Sequence, residues 1–199
     1  MNIGIGPLVR VCAAVALLVP AGSAWAQWQL DGANSSLNFI SIKNDAVAET
    51  HSFGTLSGSV TAAGAAQLSI DLGSVDTLIE VRDERMREML FETVKFPTAS
   101  ASAAIAPAIL AAVAAGDTVA TDLTFKLSLH GIEKSITVPV VLIGEAAGQI
   151  RVLTASPVIV NAADFGLAEG VAALQAVAGL NAISTAVPVT VNLVFAPVQ

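Results

Sequence analysis

Apolar and polar residues alternate one for one along several stretches of this chain, and a period of two predicts β-strands. Leu68, Ile70 and Leu72 alternate with Gln67, Ser69 and Asp71. Leu123, Phe125, Leu127 and Leu129 alternate with Thr124, Lys126, Ser128 and His130. Near the C-terminus, Val187, Val189, Val191, Leu193 and Phe195 alternate with Pro188, Thr190 and Asn192. Each such strand offers one apolar face and one mostly polar face. Further strands are expected at residues 29–31, 36–43, 54–61, 99–105, 136–143, 150–155 and 157–161. Turn signals separate them at Asp31-Gly32, Ala63-Gly64, Gly116-Asp117, His130-Gly131 and Gly148.

Two segments follow a helical period instead. Residues 83–91 open with acids, which suit a helix N-terminus, and place Met86, Met89 and Leu90 at i, i+3 and i+4. Residues 169–178 put Val171, Leu174, Val177 and Ala178 on one side, with Gly179 where a left-handed cap is common. Alanine favours helix across residues 101–115. Pro107 interrupts that stretch, so it reads as a strand end followed by a loop or short helix. About eight antiparallel strands in one domain fit a sandwich or a closed barrel. Closure removes the edges that a valine-rich sheet would otherwise expose. An eight-stranded barrel is also wide enough to hold one small ligand.

Composition narrows the function classes. Residues 1–26 read as a secretory signal: Arg10 supplies a positive start, an apolar run follows, and Ala24-Trp25-Ala26 places small residues before a cut ahead of Gln27. That run is too short for an anchored membrane helix. The expected mature domain is residues 27–199, and the expected location is the periplasm. Formal net charge is −7 with only 9 Lys and Arg, too few cations for a general nucleic-acid binder. The one cysteine, Cys12, lies inside the signal, so the mature chain has no thiol, disulfide or thiolate metal site. Two histidines, His51 and His130, are thin material for a zinc centre. No mature stretch is long and apolar enough for a transmembrane helix. An outer-membrane barrel would show aromatic girdles, and the chain has no tyrosine.

A series of short motifs then appears in a fixed order: Trp28-Gln29-Leu30-Asp31, Ser35-Ser36-Leu37-Asn38-Phe39, and Phe53-Gly54-Thr55-Leu56-Ser57-Gly58-Ser59-Val60. Val75-Asp76-Thr77 precedes Arg82-Asp83, and Phe96-Pro97 closes the helical segment. Asp122-Leu123-Thr124, Leu129-His130-Gly131-Ile132-Glu133-Lys134, Asp164-Phe165-Gly166 and Ile183-Ser184 follow, leading into Val187-Pro188-Val189. In order and spacing this resembles the YceI-like, polyisoprenoid-binding family of secreted bacterial proteins, over essentially the whole mature chain. The resemblance implies an all-β, antiparallel, eight-stranded lipocalin-like barrel with one or two short helices. It also implies a long apolar cavity for an amphiphile and no catalysis. The chain departs from the family pattern in its alanines at residues 99–115 and 172–182 and in Ala162-Ala163 before Asp164.

The candidate ligand-binding residues lie on the apolar strand faces. They are Leu37, Phe39, Phe53 and Leu56, then Leu68, Ile70 and Leu72, then Leu123, Phe125 and Leu127, and finally Val189, Val191 and Leu193. Each is equally at home as plain core. Arg82-Asp83 opens a helix, where arginine can pair with an anionic head group. The competing reading is a structural ion pair with Glu80, Glu84 or Glu88. His130 precedes a turn glycine, and no nucleophile or orienting carboxylate is evident for it. Asp164-Phe165-Gly166 reads as a turn with a buried aromatic, unrelated to the kinase motif. The expected function is therefore a periplasmic, non-enzymatic binding or carrier protein for a long-chain lipid or isoprenoid, with no cofactor and no metal. A non-catalytic envelope module that partners a membrane redox protein is the alternative, and the expectation extends to a homodimer without requiring one.

Overall fold

A computed structural model describes Met1 and residues 26–44 and 46–198. The expected signal segment lies almost wholly outside the described residues. The strands are, in chain order, β1 (Ala26–Leu30), β2 (Ser36–Lys43), β3 (Val47–Phe53), β4 (Leu56–Thr61), β5 (Ala65–Asp71) and β6 (Val75–Asp76). They continue with β7 (Thr98–Ala104), β8 (Thr118–Leu129), β9 (Ile132–Gly144), β10 (Ile150–Thr154), β11 (Val158–Asn161) and β12 (Ala186–Pro197). Three short α-helices are described: α1 (Glu80–Arg85), which runs on into a wider π turn at Met86–Leu90, α2 (Pro107–Ala114) and α3 (Ala168–Val177).

Every strand pairing is antiparallel, and the wall closes through β1-β4-β5-β7-β8-β9-β10-β12 and back to β1. The expected closed eight-stranded barrel is the fold. The long strand β12 belongs to both ends of it. Its C-terminal part pairs with β1 and β10, while its N-terminal part pairs with β2 and β11. A turn at Gly32–Asn34 separates β1 from β2, with Asp31 accepting from the Ala33 and Asn34 amides as its cap. At the β2 end the sheet runs on through β3 to β6, and only two residue pairs, Ser52–Asp76 and Phe53–Val75, join that last boundary.

Local chemistry explains most of these elements. On β8 the outward positions are Thr124, Lys126 and Ser128, and the inward ones are Leu123, Phe125 and Leu127. Outward residues are stitched by polar pairs, such as Thr124 with Thr137 at 2.8 Å and Lys126 with Glu133 at 3.3 Å. This is polar outside and apolar inside, the reverse of a membrane-spanning barrel. His130 and Gly131 turn β8 into β9 with φ of 52° and 78°. Two successive positive φ values make the tight hairpin turn whose twist matches the strands.

The strand end and short helix expected across residues 101–115 are both present: β7 ends at Ala104 and α2 opens at Pro107, in its first turn, where a missing N–H costs nothing. Elsewhere the structure differs from the sequence reading. The helix expected at residues 83–91 starts three residues earlier, at Glu80, and its second half is π. Leu72 lies in a turn at Leu72–Ser74, not on a strand, although it is still fully buried. Strand β3 has no alternation signal and is an addition to the expected set.

The interior is packed at both ends. At one end α2 plugs the barrel, with Leu110 and Val113 buried against Trp28, Leu142 and Phe195. Gly144 is required there: a Cβ would stand 2.0 Å from the Val113 carbonyl oxygen. At the other end Met86 and Phe91 pack with Leu37, Phe39, Leu72 and Val75. Phe165, only 1% exposed, anchors the neighbouring cluster with Leu167 and Val171.

Candidate functional site

Between the two ends lies a cavity of about 280 Å³. Every residue lining it is apolar except Gln67 and Thr154. Twelve of the residues expected from the strand faces line it: Leu37, Phe39 and Phe53, Leu68, Ile70 and Leu72, Leu123, Phe125 and Leu127, Val189, Val191 and Leu193. Leu56 packs against the core clusters instead of bordering the cavity. Several lining residues lie off the strand faces expected to bind ligand. Ala99, Ala101 and Ala103 form an inward column on β7, and Met86, Leu90 and Phe91 reach in from the π turn. The alanines keep the lumen open where larger side chains would fill it.

Beyond the cavity lining, the inward face of the β2–β3 pair turns polar. On β2 the inward positions run Leu37, Phe39, Ser41, Lys43, and on β3 they run Phe53, His51, Glu49. Phe39 sits directly across from His51, and Ser41 across from Glu49. Phe39, Phe53 and Phe91 form a ladder of rings with centroids 5.3 and 5.8 Å apart. Above it Ser41 Oγ and His51 Nε2 share a hydrogen bond of 2.8 Å.

Arg82 and Asp83 stand at this polar rim and do not line the cavity. Arg82 Nη1 donates to Glu49 Oε2 at 2.7 Å, and Nη2 donates to the Thr77 carbonyl at 2.6 Å. Lys43 Nζ donates to the same Glu49 oxygen at 2.8 Å. Asp83 Oδ1 accepts from the Thr77 amide at 2.9 Å and from its hydroxyl. The ion pair is therefore made, but with Glu49 from β3, not with the helical glutamates expected from sequence proximity. The Lys43 hydrogen bond holds the Glu49 carboxyl below its ordinary range against the opposing effect of burial, with Arg82 adding to it.

His51 is buried at 5% exposure. Burial pushes its pKa down, and the positive charge of Arg82 adds to that, so the ring is neutral near pH 7. Its Nδ1 and the Arg82 Nε are buried without a hydrogen-bond partner. His51 carried little weight in the sequence reading because its neighbours show no period. A Glu-x-His-x-Phe run on one strand face is the signal that would have found it.

His130 does not line the cavity. Its Nε2 lies 3.2 Å from Glu92 Oε2, and its ring is 4.3 Å from that of Phe96. Phe165 is buried and Gly166 takes a left-handed φ of 70°, as a turn at Asp164-Phe165-Gly166 requires. Among the described residues no group of three or more His, Cys, Asp or Glu side chains could hold a metal ion. Nor is any described helix long and apolar enough to cross a membrane.

A closed antiparallel wall around an apolar lumen, plugged at one end and polar-rimmed at the other, defines a barrel protein of lipocalin-like build. Residues 28–195 match the YceI-like domain model, and the chain belongs to that family. Among solved structures it is similar to a polyisoprenoid binding domain from Saccharophagus degradans implicated in plant cell wall breakdown. The two are 40% identical, with a TM-score of 0.83, over 87% of this chain and 100% of that one. Burkholderia cenocepacia BcnA shares the fold at 22% identity and a TM-score of 0.65, over 83% of this chain and 98% of its own. No curated protein sequence matches significantly.

Proposed function

We propose that this protein is a non-enzymatic binding and carrier protein for a long-chain amphiphile, a polyisoprenoid or an isoprenoid quinone, acting in the periplasm after removal of residues 1–26. The observation that supports it most is the closed lumen with an almost wholly apolar lining, which stops on β2 and β3 at Phe39 and Phe53, next to the polar Ser41 and His51 on the same strand faces. An amphiphile has the same order of parts. Sheltering a tail from water is worth about 0.8 kcal/mol per methylene, and an apolar lumen of this kind stays dry. Leu37, Phe39, Phe53, Leu68, Ile70, Leu72, Leu123, Phe125, Leu127, Val189, Val191 and Leu193 hold the tail, with Leu56 supporting the wall behind them. Arg82 and Asp83 shape the rim beside the head. The resemblance to a polyisoprenoid binding domain at 40% identity supports the choice of tail.

The test is extraction of protein purified from its native envelope with organic solvent, followed by mass spectrometry and back-titration of the delipidated protein. A stoichiometric prenyl or acyl species that rebinds is the expected result. Protein that yields no such species and rejects both chain types after delipidation would overturn the reading.

A further inference from the structure

The barrel wall is not laced along its whole height. Between β9 and β10 the rungs run from Gly144–Ile150 to Val140–Thr154. One more bond follows, from the Ala155 amide to the Pro139 carbonyl at 2.9 Å. Pro139 turns its nitrogen to the same side as that carbonyl, and a proline nitrogen has no hydrogen to donate. Pairing stops there. Strand β11 takes over from β10 along β12, from Val158–Val189 to Asn161–Ala186. Among the described residues no backbone hydrogen bond joins it to β9. Glu133, Lys134, Ser135 and Thr137, on that stretch of β9, are exposed.

Side chains fill the gap. One face of β9 carries Val138, Ile136, Lys134 and Ile132 in turn. Val138 lines the cavity. Ile136 and Val160 of β11 pack on the buried cluster that holds Ala162, Phe165, Leu167 and Val171. Lys134 Nζ stands 3.5 Å from Asp164 Oδ1. Ile132 Cδ1 lies 3.6 Å from the place a Gly166 Cβ would take. The turn at Ala162–Phe165, with α3 behind it, thus stands in for the missing rungs. The lumen reaches this patch, because Val160, Ala162, Leu167 and Val171 line it.

The patch is fastened away from β9. The Ala162 amide donates to the Thr185 carbonyl at 2.8 Å, just ahead of β12. Gly170 brings α3 so close to the π turn that a Cβ would stand 2.7 Å from the Met89 carbonyl oxygen. Toward β9, the one polar tie among the described residues is the Lys134–Asp164 pair, which is about half exposed, and such pairs add little. The other contacts across that line are apolar and non-directional. Parting β9 from β10 would instead break backbone rungs. Lifting α1 would break the Arg82–Glu49 and Asp83–Thr77 hydrogen bonds.

We infer that the line between β9 and the Ala162–Phe165 turn is a side door, through which the hydrocarbon tail enters and leaves the lumen, and that Lys134 and Asp164 latch it. The inference rests on the carrier reading above and adds the route that the tail takes.

The experiment staples the door shut. The mature chain has no cysteine of its own, so Lys134→Cys with Asp164→Cys can be joined by a short bismaleimide. Lys126→Cys with Glu133→Cys is the control: that ion pair, at 3.3 Å, links β8 to β9 on the same hairpin without crossing the line. All four positions are exposed, where substitutions disturb folding little. Each protein is loaded with tritiated squalene before stapling, and transfer of the label to excess phosphatidylcholine vesicles is timed. Stapling 134 to 164 is expected to slow transfer at least about tenfold relative to the same variant capped with N-ethylmaleimide. Stapling 126 to 133 is expected to leave the rate unchanged. An unchanged rate with 134 joined to 164, or equal slowing by both staples, would overturn the side door while leaving the carrier reading intact. Wild-type protein that takes up no squalene would overturn both.

Discussion

Arg82 on α1 donates to Glu49 on β3 at 2.7 Å, joining positions 33 residues apart in the chain. The bond ties the helix to a strand that holds β6 by only two residue pairs. The pair is partly exposed, with side-chain exposures of 25% and 33%, so solvent screening limits its worth. Removing it with Arg82→Ala should lower unfolding stability by about 1 kcal/mol, mainly through the lost charge-assisted bonds to Glu49 and to the Thr77 carbonyl. A urea titration of wild type, Arg82→Ala, Glu49→Ala and the double variant measures the coupling. Strictly additive effects would show that the contact adds nothing.

Stability should fall as the pH is lowered, in two windows. The folded pKa of His51 is depressed below its ordinary value of 6.5, so the unfolded chain takes up its proton first. The linkage sign then gives stability that is complete above pH 6.5 and declines below it as the unfolded ring protonates. Glu49 is also depressed, from 4.5, and its contribution declines further as pH falls through the carboxylate range. Thermal melts of His51→Gln between pH 7 and 3 should lose the first decline and keep the second. Identical profiles for wild type and variant would contradict the assignment.

The alanine column on β7 sets lumen volume. Ala101→Phe introduces a ring into a cavity of about 280 Å³, where there is room for it. Filling a void costs less than overpacking a tight core, so stability should change by about 1 kcal/mol or less. Tail binding should drop at least about tenfold, because the added ring takes the space that chain carbons would occupy. Titration with squalene and a melting curve read the two effects separately.

Phe165 holds together the cluster where α3 packs on the barrel. It is 1% exposed and packs among Leu127, Leu167 and Val171. Phe165→Ala should cost about 3–5 kcal/mol by lost burial and cavity formation. Chemical denaturation measures it directly, and a loss under 1 kcal/mol would mean that the cluster collapses to fill the gap.

The strands with the clearest alternation, β5, β8 and the long β12, were legible because one face meets the lumen and the other meets water. The turn at His130-Gly131 was legible for a similar reason: glycine marks the positive φ the hairpin needs. Strand β3 was not. Its inward residues are Glu49, His51 and Phe53 and its outward ones Ala48, Thr50 and Ser52, so neither face is uniformly apolar. That loss of contrast arises where the lumen turns polar, and it hid the rim that bears His51. The partner of Arg82 was illegible for another reason. Sequence proximity offered three helical glutamates, while the β2–β3 hairpin delivers Glu49 from across the fold. The π turn at Met86–Leu90 leaves no compositional trace, yet it swings Met86, Leu90 and Phe91 inward together.

The brevity of the β3–β6 junction has a mechanical meaning. Local unfolding begins where a structure is least sewn: the pairs that close the ring have at least three rungs each, while β6 is held to β3, outside that ring, by two. Parting Ser52 from Asp76 and Phe53 from Val75 would release β6 from the β2–β3 hairpin while the eight-stranded wall stays shut.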